Sequence, residues 1–218
     1  MRFLITAGPT REPIDPVRYL SNRSSGKMGY AIAEAAIEAG HEVVLISGPV
    51  DVHRPRGAAV IPISTSDDMF GAVHEQVRNC DVLVMCAAVA DYKPAKASKR
   101  KIKKRDTHLS LELVPTRDIL ASLPKEDRHY VVVGFAAETE NVEANARTKL
   151  QKKDCDVVVA NDVSRNNSGM ESDENEVTIL FRDGEMKTIS RAPKKIVARE
   201  LIKIFENVCE KRLTKKIA

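Results

Sequence analysis

Short apolar runs alternate with longer stretches of helical spacing from one end of the chain to the other. The runs Phe3–Ala7, Glu42–Ser47, Ala59–Ile63, Val82–Cys86, Leu109–Leu113, Tyr130–Ala136 and Val157–Ala160 predict strands. Val131 to Val133 and Val157 to Val159 are unbroken β-branched triplets, the pattern of strands covered on both faces. Helices are predicted over Lys27–Ala39, closed by Gly40, and over Asp67–Asn79, Val142–Lys153 and Lys194–Arg212. The last is entered through Pro193, and Ile196, Leu201, Ile202, Phe205 and Val208 form its apolar stripe. Glu176–Phe181 and Met186–Ile189 flank Arg182-Asp183-Gly184-Glu185, a hairpin with Asp-Gly in its turn. The expected fold is therefore α/β and Rossmann-like. A largely parallel sheet is flanked by helices and followed by a C-terminal hairpin, in one domain spanning 1–218. Two polar stretches, Asn161–Asn175 and Lys93–His108, are predicted as long loops beyond the C-terminal ends of parallel strands, where open α/β sheets hold their ligands.

Composition narrows the class. Of 218 residues, 43% are apolar and 30% charged, as in a globular protein with a core. No apolar run approaches the roughly eighteen residues of a spanning helix, and Gly8-Pro9 interrupts the N-terminus too early for a secretory h-region. Cysteines 80, 86, 155 and 209 form no CxxC pair, so a reduced, cytoplasmic protein is expected. The net charge of +4 is unevenly placed. Eight basic residues and no acid lie between Lys93 and Arg105, leaving 27 bases against 31 acids elsewhere. That segment reads as a lid over a polyanion, a solvated loop or a nucleic-acid patch. It contains no aromatic residue, which favours the lid over the patch.

The first strand leads through Gly8 to a long connection ending in Ser24-Ser25-Gly26-Lys27-Met28-Gly29 at a helix start, a place suited to a phosphate. It is not a P-loop, because Ser21 replaces the first Gly and Met28 the Ser/Thr. No GxGxxG follows the first strand. Tyr92 and Lys96 copy the spacing of short-chain reductases, making an NAD(P)-dependent reductase one rival reading, but Pro94 lies between them. A nucleic-acid-binding module using residues 93–105 is the other. The five histidines are scattered without zinc spacing, and no GxSxG elbow is present.

Several strings taken together resemble the bacterial phosphopantothenoylcysteine synthetase family. They are TAGPTREPIDPVRYLSNRSSGKMG from Thr6 to Gly29, CAAVADY from Cys86 to Tyr92, KIKK from Lys101 to Lys104, GFAAET from Gly134 to Thr139, and ANDV from Ala160 to Val163. In many bacteria this domain is fused behind a flavin-dependent decarboxylase, and the present sequence resembles the synthetase half, stand-alone or excised. The resemblance implies a CTP-dependent ligase of coenzyme A synthesis, with Mg²⁺ carried mainly on the nucleotide phosphates. The carboxylate of 4′-phosphopantothenate attacks CTP to give an acyl-cytidylate and pyrophosphate, and the amine of L-cysteine then displaces CMP. It also implies a homodimer, with neither membrane nor nucleic acid as partner.

The resemblance further implies residue roles. Asn22 would sit at the acyl-cytidylate and Arg18 beside it, with Lys101 on the triphosphate. Cys86, Ala87, Ala88 and Asp91 would belong to the nucleotide site, and Val114, Pro115, Thr116, Arg117 and Phe135 would line the cytidine pocket. Lys149 and Lys153, one helical turn apart, would meet one anion together. Ser24, Ser25, Gly26, Lys27 and Gly29 would bind phosphate or substrate. Lys93, Lys96, Lys99, Arg100 and Arg105 carry no role from the family.

Overall fold

A computed structural model describes residues 1–104, 108–126, 128–162 and 172–217. Twelve strands and four helices follow in the order β1 Arg2–Ala7, β2 Arg11–Pro13, β3 Tyr19–Ser21, α1 Lys27–Glu38, β4 Glu42–Ser47, β5 Ala58–Pro62, α2 Ser66–Gln76, β6 Val82–Met85, β7 Tyr92–Pro94, β8 Leu113–Pro115, β9 Val131–Glu138, α3 Val142–Lys152, β10 Val157–Asp162, β11 Glu174–Phe181, β12 Met186–Pro193 and α4 Lys194–Ile217.

Eight strands form one sheet in the order β12-β11-β10-β9-β6-β1-β4-β5. The six from β10 to β5 are parallel, and the β11–β12 hairpin adds an antiparallel edge. Alternate strand residues feed two cores. Phe3, Ile5, Val43, Val84, Val133 and Val159 pack against α1 and α4 on one face. Leu4, Val44, Leu83, Val132 and Val158 pack with Met69 and Val73 of α2 and Ala146 of α3 on the other. The valine triplets supply both faces at once, which is why they lack polar alternation.

Local chemistry sets the helix ends. Thr65 caps α2 and accepts from the Asp68 amide at 3.1 Å, while Asp68 accepts from the Thr65 amide at 2.9 Å. The buried Glu12 carboxylate accepts from the Ser66 amide at 2.8 Å. The helix predicted over Asp67–Asn79 thus begins at Ser66, and its last turn, Val77–Asn79, tightens to 3-10 geometry. In α4 the buried stripe runs through Val197, Ala198, Leu201, Ile202 and Phe205, whereas Ile196 points outward.

One predicted strand is corrected. Leu109–Leu113 does not join the sheet; Leu113–Pro115 pairs instead with Tyr92–Pro94 in a separate two-stranded ribbon. Leu109, Leu111 and Leu113 are all exposed, so an apolar run without a covering face failed to make a sheet strand. A second ribbon, β2–β3, packs on β7. The predicted loop Lys93–His108 therefore begins inside β7, and the loop Asn161–Asn175 is shortened by β10 and β11, with 163–171 outside the described residues.

After β1 the chain builds outward through β4 and β5, then crosses back to place β6 on the other side of β1. The order of strands thus reverses between β1 and β6. An open parallel sheet has its crevice at such a switch point.

Candidate functional site

A cleft of about 520 Å³ opens at that crevice. Its floor is the junction between the segments following β1 and β6, braced by backbone and threonine bonds. The buried Thr6 hydroxyl accepts from the Ala87 amide at 3.2 Å, and the Thr10 hydroxyl accepts from the Ala90 amide at 3.0 Å. Ala88 donates its amide to the Gly8 carbonyl at 2.9 Å. These bonds fix the strip Cys86–Asp91, which lines the cleft.

On the α1 side, Gly26 caps the helix with φ at 75°, a left-handed geometry that glycine adopts without strain. At Gly29 a Cβ would lie 2.6 Å from the Ala7 Cβ, so only glycine lets α1 press this closely on β1. Lys27 follows the cap and is paired with Asp173 at 2.6 Å. The Asn22 side-chain amide donates to the carbonyls of Ala88 at 3.3 Å and Val89 at 3.0 Å, so a ligand oxygen seeking that donor competes with the β6 strip.

On the opposite wall, Thr116 donates its hydroxyl to the Ala90 carbonyl at 2.6 Å, anchoring the turn that carries Arg117, Asp118, Ile119 and Leu120. Arg117 lies over the Phe70 ring at 3.8 Å and bonds Asp67 at 3.1 Å, and Lys93 pairs with the same carboxylate. Lys149 donates to the Phe135 carbonyl, and Lys153 pairs with Asp118. Burial pushes the Lys149 ammonium below its usual range. At Asp118, burial works upward but the Lys153 ammonium and the Ala121 amide outweigh it, holding the carboxyl below its ordinary range. Burial pushes the Cys86 thiol up to about 12, leaving it neutral at physiological pH and a poor nucleophile.

The cleft brings together most of the residues singled out from sequence: Asn22, Ser24, Gly26, Lys27 and Gly29; Cys86, Ala87, Ala88 and Asp91; Thr116, Arg117, Phe135, Lys149 and Lys153. Five lie elsewhere. Val114 and Pro115 belong to the β7–β8 ribbon, and the wall runs instead from Thr116 to Leu120. Ser25 faces a neighbouring cavity with Arg11, Tyr19 and Asp51. Arg18 turns away, bonding the Asp15 carboxylate at 2.5 Å and the Ile102 carbonyl at 2.7 Å. Its guanidinium holds the Asp15 carboxyl far below the ordinary carboxylate range. Lys101 stands exposed on the loop that this pair tethers, outside the lining of the cleft. Tyr92 lies on β7 and Lys96 beyond it, so the reductase-like spacing is not carried on a helix.

Sequence reasoning missed Asp118, Ile119, Leu120, Asn161, Asn175 and Lys194, all of which line the cleft. Three of them left a sequence signal: Asn161 lies in the ANDV string, Asn161 and Asn175 bound the loop predicted beyond a strand end, and Lys194 is the first residue after Pro193 at a helix start. Among the described residues the lining carries six cations, Arg23, Lys27, Arg117, Lys149, Lys153 and Lys194, against two carboxylates, Asp91 and Asp118. Such a cleft suits a polyanionic ligand. Among the described residues no group of three or more His, Cys, Asp or Glu is placed to hold a metal, and no helix is long and apolar enough to cross a membrane.

Residues 1–208 match the family described as DNA/pantothenate metabolism flavoprotein C-terminal domain. The chain is 46% identical over 200 residues to the coenzyme A biosynthesis bifunctional protein CoaBC of Bacillus subtilis, covering 91% of this chain and 49% of that protein. It is 46% identical over 190 residues to the Escherichia coli K12 protein of the same name, covering 85% and 47%. The chain thus spans about half the length of these relatives. Among solved structures, the C-terminal domain of a CoaBC protein superposes with a TM-score of 0.83 at 42% identity over 96% of both chains. A Cab2 variant in complex with phosphopantothenate-cysteine shares the fold, with a TM-score of 0.80 at 15% identity over 100% of this chain and 89% of that one.

Proposed function

The chain belongs to the DNA/pantothenate metabolism flavoprotein C-terminal domain family, and from that premise we propose that its cleft joins 4′-phosphopantothenate to L-cysteine at the expense of CTP. The observation that carries this reading is the cleft itself, with six cations among its described residues, a fixed backbone, and a Cys86 thiol that burial keeps protonated. A carboxylate does not react with an amine at neutral pH. Attack on the α-phosphorus of CTP gives a mixed anhydride and pyrophosphate, and cysteine's amine then attacks the acyl carbon and expels CMP. Such chemistry asks for positioned cations and donors rather than for a covalent catalyst.

In this reading Lys149, Lys153 and the Thr116–Leu120 turn receive the nucleotide, and Asn22 donates to the acyl oxygen as charge develops. Mg²⁺ keeps most of its waters and binds phosphates together with one or two carboxylates. Asp91, exposed at the cleft, fits that limited demand, and the ion would neutralise charge on the phosphates. Val17, Tyr19, Tyr92, Leu109 and Leu113 are exposed on or beside the two packed ribbons, which supports a homodimer through this face. A cytoplasmic location accords with the biosynthetic role.

The test is pyrophosphate release, expected to require CTP and phosphopantothenate together, with CMP release requiring cysteine as well. Absence of pyrophosphate with both substrates and Mg²⁺ present sinks the reading, and ATP in place of CTP tests the base. Asn22→Asp should let the acyl-cytidylate accumulate; equal loss of both half-reactions removes that role from Asn22.

A further inference from the structure

We propose that Asp67 and His74 of α2 are positioning residues for the nucleotide, acting through the turn that forms the far wall of the cleft. This rests on the reading in which that wall receives CTP, and it adds the element that holds the wall in place.

Asp67, Phe70 and His74 are spaced three and four apart, so they share one face of α2. Met69 and Val73 lie on the buried face of the same helix. They pack in one core with Ile119 and Leu123, which seats the turn against α2. The face carrying Asp67, Phe70 and His74 then fixes the orientation of the turn at both ends. At its start, the Arg117 guanidinium lies over the Phe70 ring, 3.8 Å from the centroid. The same guanidinium donates to Asp67 through Nε at 3.2 Å and through a terminal nitrogen at 3.1 Å. At its end, the Ser122 hydroxyl donates to the Ile119 carbonyl at 2.7 Å, so its oxygen accepts from His74 Nε2 at 2.9 Å. The His74 and Phe70 rings are 4.3 Å apart, which joins the two anchor points through one pair of rings.

Asp118 ties the middle of the turn elsewhere. One carboxylate oxygen accepts from the Ala121 amide at 2.9 Å, and the other pairs with Lys153 at the end of α3. The turn is thereby held between α2 and α3, the helix that also carries Lys149. Asp67 binds Lys93 as well, two residues beyond Asp91, so one carboxylate ties the wall to the strand that follows the β6 strip. Asp67 is 42% and Arg117 56% exposed at the side chain, so their pairing adds little to stability. Its effect is on placement. A turn ordered before the ligand arrives need not be ordered on binding, and that raises affinity for the ligand it touches.

The experiment is steady-state pyrophosphate release by the full chain, with CTP and phosphopantothenate varied in turn, and a thermal unfolding curve for each protein. The proteins are wild type, Asp67→Asn, His74→Phe and His74→Gln. Asp67→Asn removes the charge that holds Arg117 and Lys93. His74→Phe keeps the ring and removes the donor, whereas His74→Gln keeps a donor where Nε2 stood. Asp67→Asn and His74→Phe should each raise KM for CTP by about fivefold or more, with KM for phosphopantothenate within about twofold of wild type. His74→Gln should recover most of the loss. A merely structural role lowers Tm and the yield of active chain and leaves both KM values in place. Unchanged KM for CTP in either folded variant overturns the proposal, as does an equal rise in both KM values, or His74→Gln behaving like His74→Phe. Should one position fail to give a folded chain, the other decides by the same measure. If wild type releases no pyrophosphate with CTP, the ligase reading falls and the inference with it; a wild type that turns over CTP beside indifferent variants removes the inference alone.

Discussion

Gly29→Ala sets two effects of opposite sign against each other at the point where fold and cleft meet. Alanine is the better helix former, by about 1 kcal/mol within a helix. Against this, the new Cβ falls 2.6 Å from the Ala7 Cβ and 3.2 Å from both the Ala7 Cα and the Thr6 carbonyl oxygen. Ordinary contact begins near 3.4 Å, so the start of α1 must retreat by about 0.8 Å from a strand that is itself fully buried. Overpacking of this kind costs about 1–3 kcal/mol, which outweighs the helix gain near a helix start. The expected net loss is about 1 kcal/mol, a fall in Tm of roughly 2–4 °C for a chain of this size. The consequence for activity is larger. The same displacement carries the Gly26 cap and Lys27 away from the β6 strip, and misplacement near 1 Å lowers rates by up to about 100-fold. Thermal unfolding and pyrophosphate release on one preparation check both numbers. A variant with raised Tm and full activity would refute the reasoning, because it would show that helix propensity wins and that the close approach is dispensable.

At the far end of the sheet, Asp156 accepts from Arg128 at 2.9 Å, the Val132 amide at 2.8 Å and Arg212 at 3.1 Å. Asp156→Asn should cost about 2 kcal/mol, because Arg128, only 5% exposed at its side chain, keeps Asp154 at 3.2 Å but loses its nearer carboxylate at 2.9 Å; a Tm within 2 °C of wild type contradicts this. Burial raises the thiols of Cys80, Cys86 and Cys209 to about 12 and Cys155 to about 11. A folded-state pKa above the unfolded value of 9.0 gives stability that is complete below pH 9 and is lost as pH rises toward 11–12. Alkaline denaturation should therefore begin above pH 9, and a thiol reagent at pH 7 should label none of the four until the chain unfolds; rapid labelling of the native chain rules this out. Arg18→Ala frees the Ile102 carbonyl and leaves Asp15 without its guanidinium. Trypsin should then cut between Lys99 and Lys104 several times faster, and an unchanged cleavage rate means that Arg18 does not hold the loop.

The sheet was legible because its signal is local. The valine triplets of β9 and β10 are long enough to be strands and too apolar for an exposed face, and Glu42–Ser47 has the same bounds in sequence and structure. Leu109–Leu113 alternates apolar and polar residues, also a strand signal, and failed, since burial depends on a covering face that no window of sequence contains. The ribbons β2–β3 and β7–β8 are three-residue pairings set by tertiary contact, beyond the reach of periodicity. For the cleft, motif strings found the segments at the ends of β1 and β6. The opposite wall was placed a few residues too early, because Val114-Pro115-Thr116-Arg117 reads as one string while the chain turns at Thr116. Lys194 stood outside every string, and only the packing of α4 on α1 brings it to the cleft.

The basic segment shows how charge along a sequence differs from charge in space. Eight positive residues from Lys93 to Arg105 reverse the sign of the whole chain, and on composition alone they look like the anion-binding feature. In the fold, Lys93 is paired with Asp67, and the segment is moored to the turn before β3, with the Ser98 amide on the Ile14 carbonyl at 2.9 Å and the Ile102 amide on Asp15 at 3.1 Å. The lining of the cleft instead draws its cations from four places far apart in sequence: Arg23 and Lys27, Arg117, Lys149 with Lys153, and Lys194. Each is unremarkable among its neighbours in the chain. Among the described residues they outnumber the two lining carboxylates three to one, in a crevice where partial exclusion of water strengthens their field. A strong field at the site therefore needs no charge run. It needs helices from both faces of the sheet to begin or end at one switch point, and the topology supplies that.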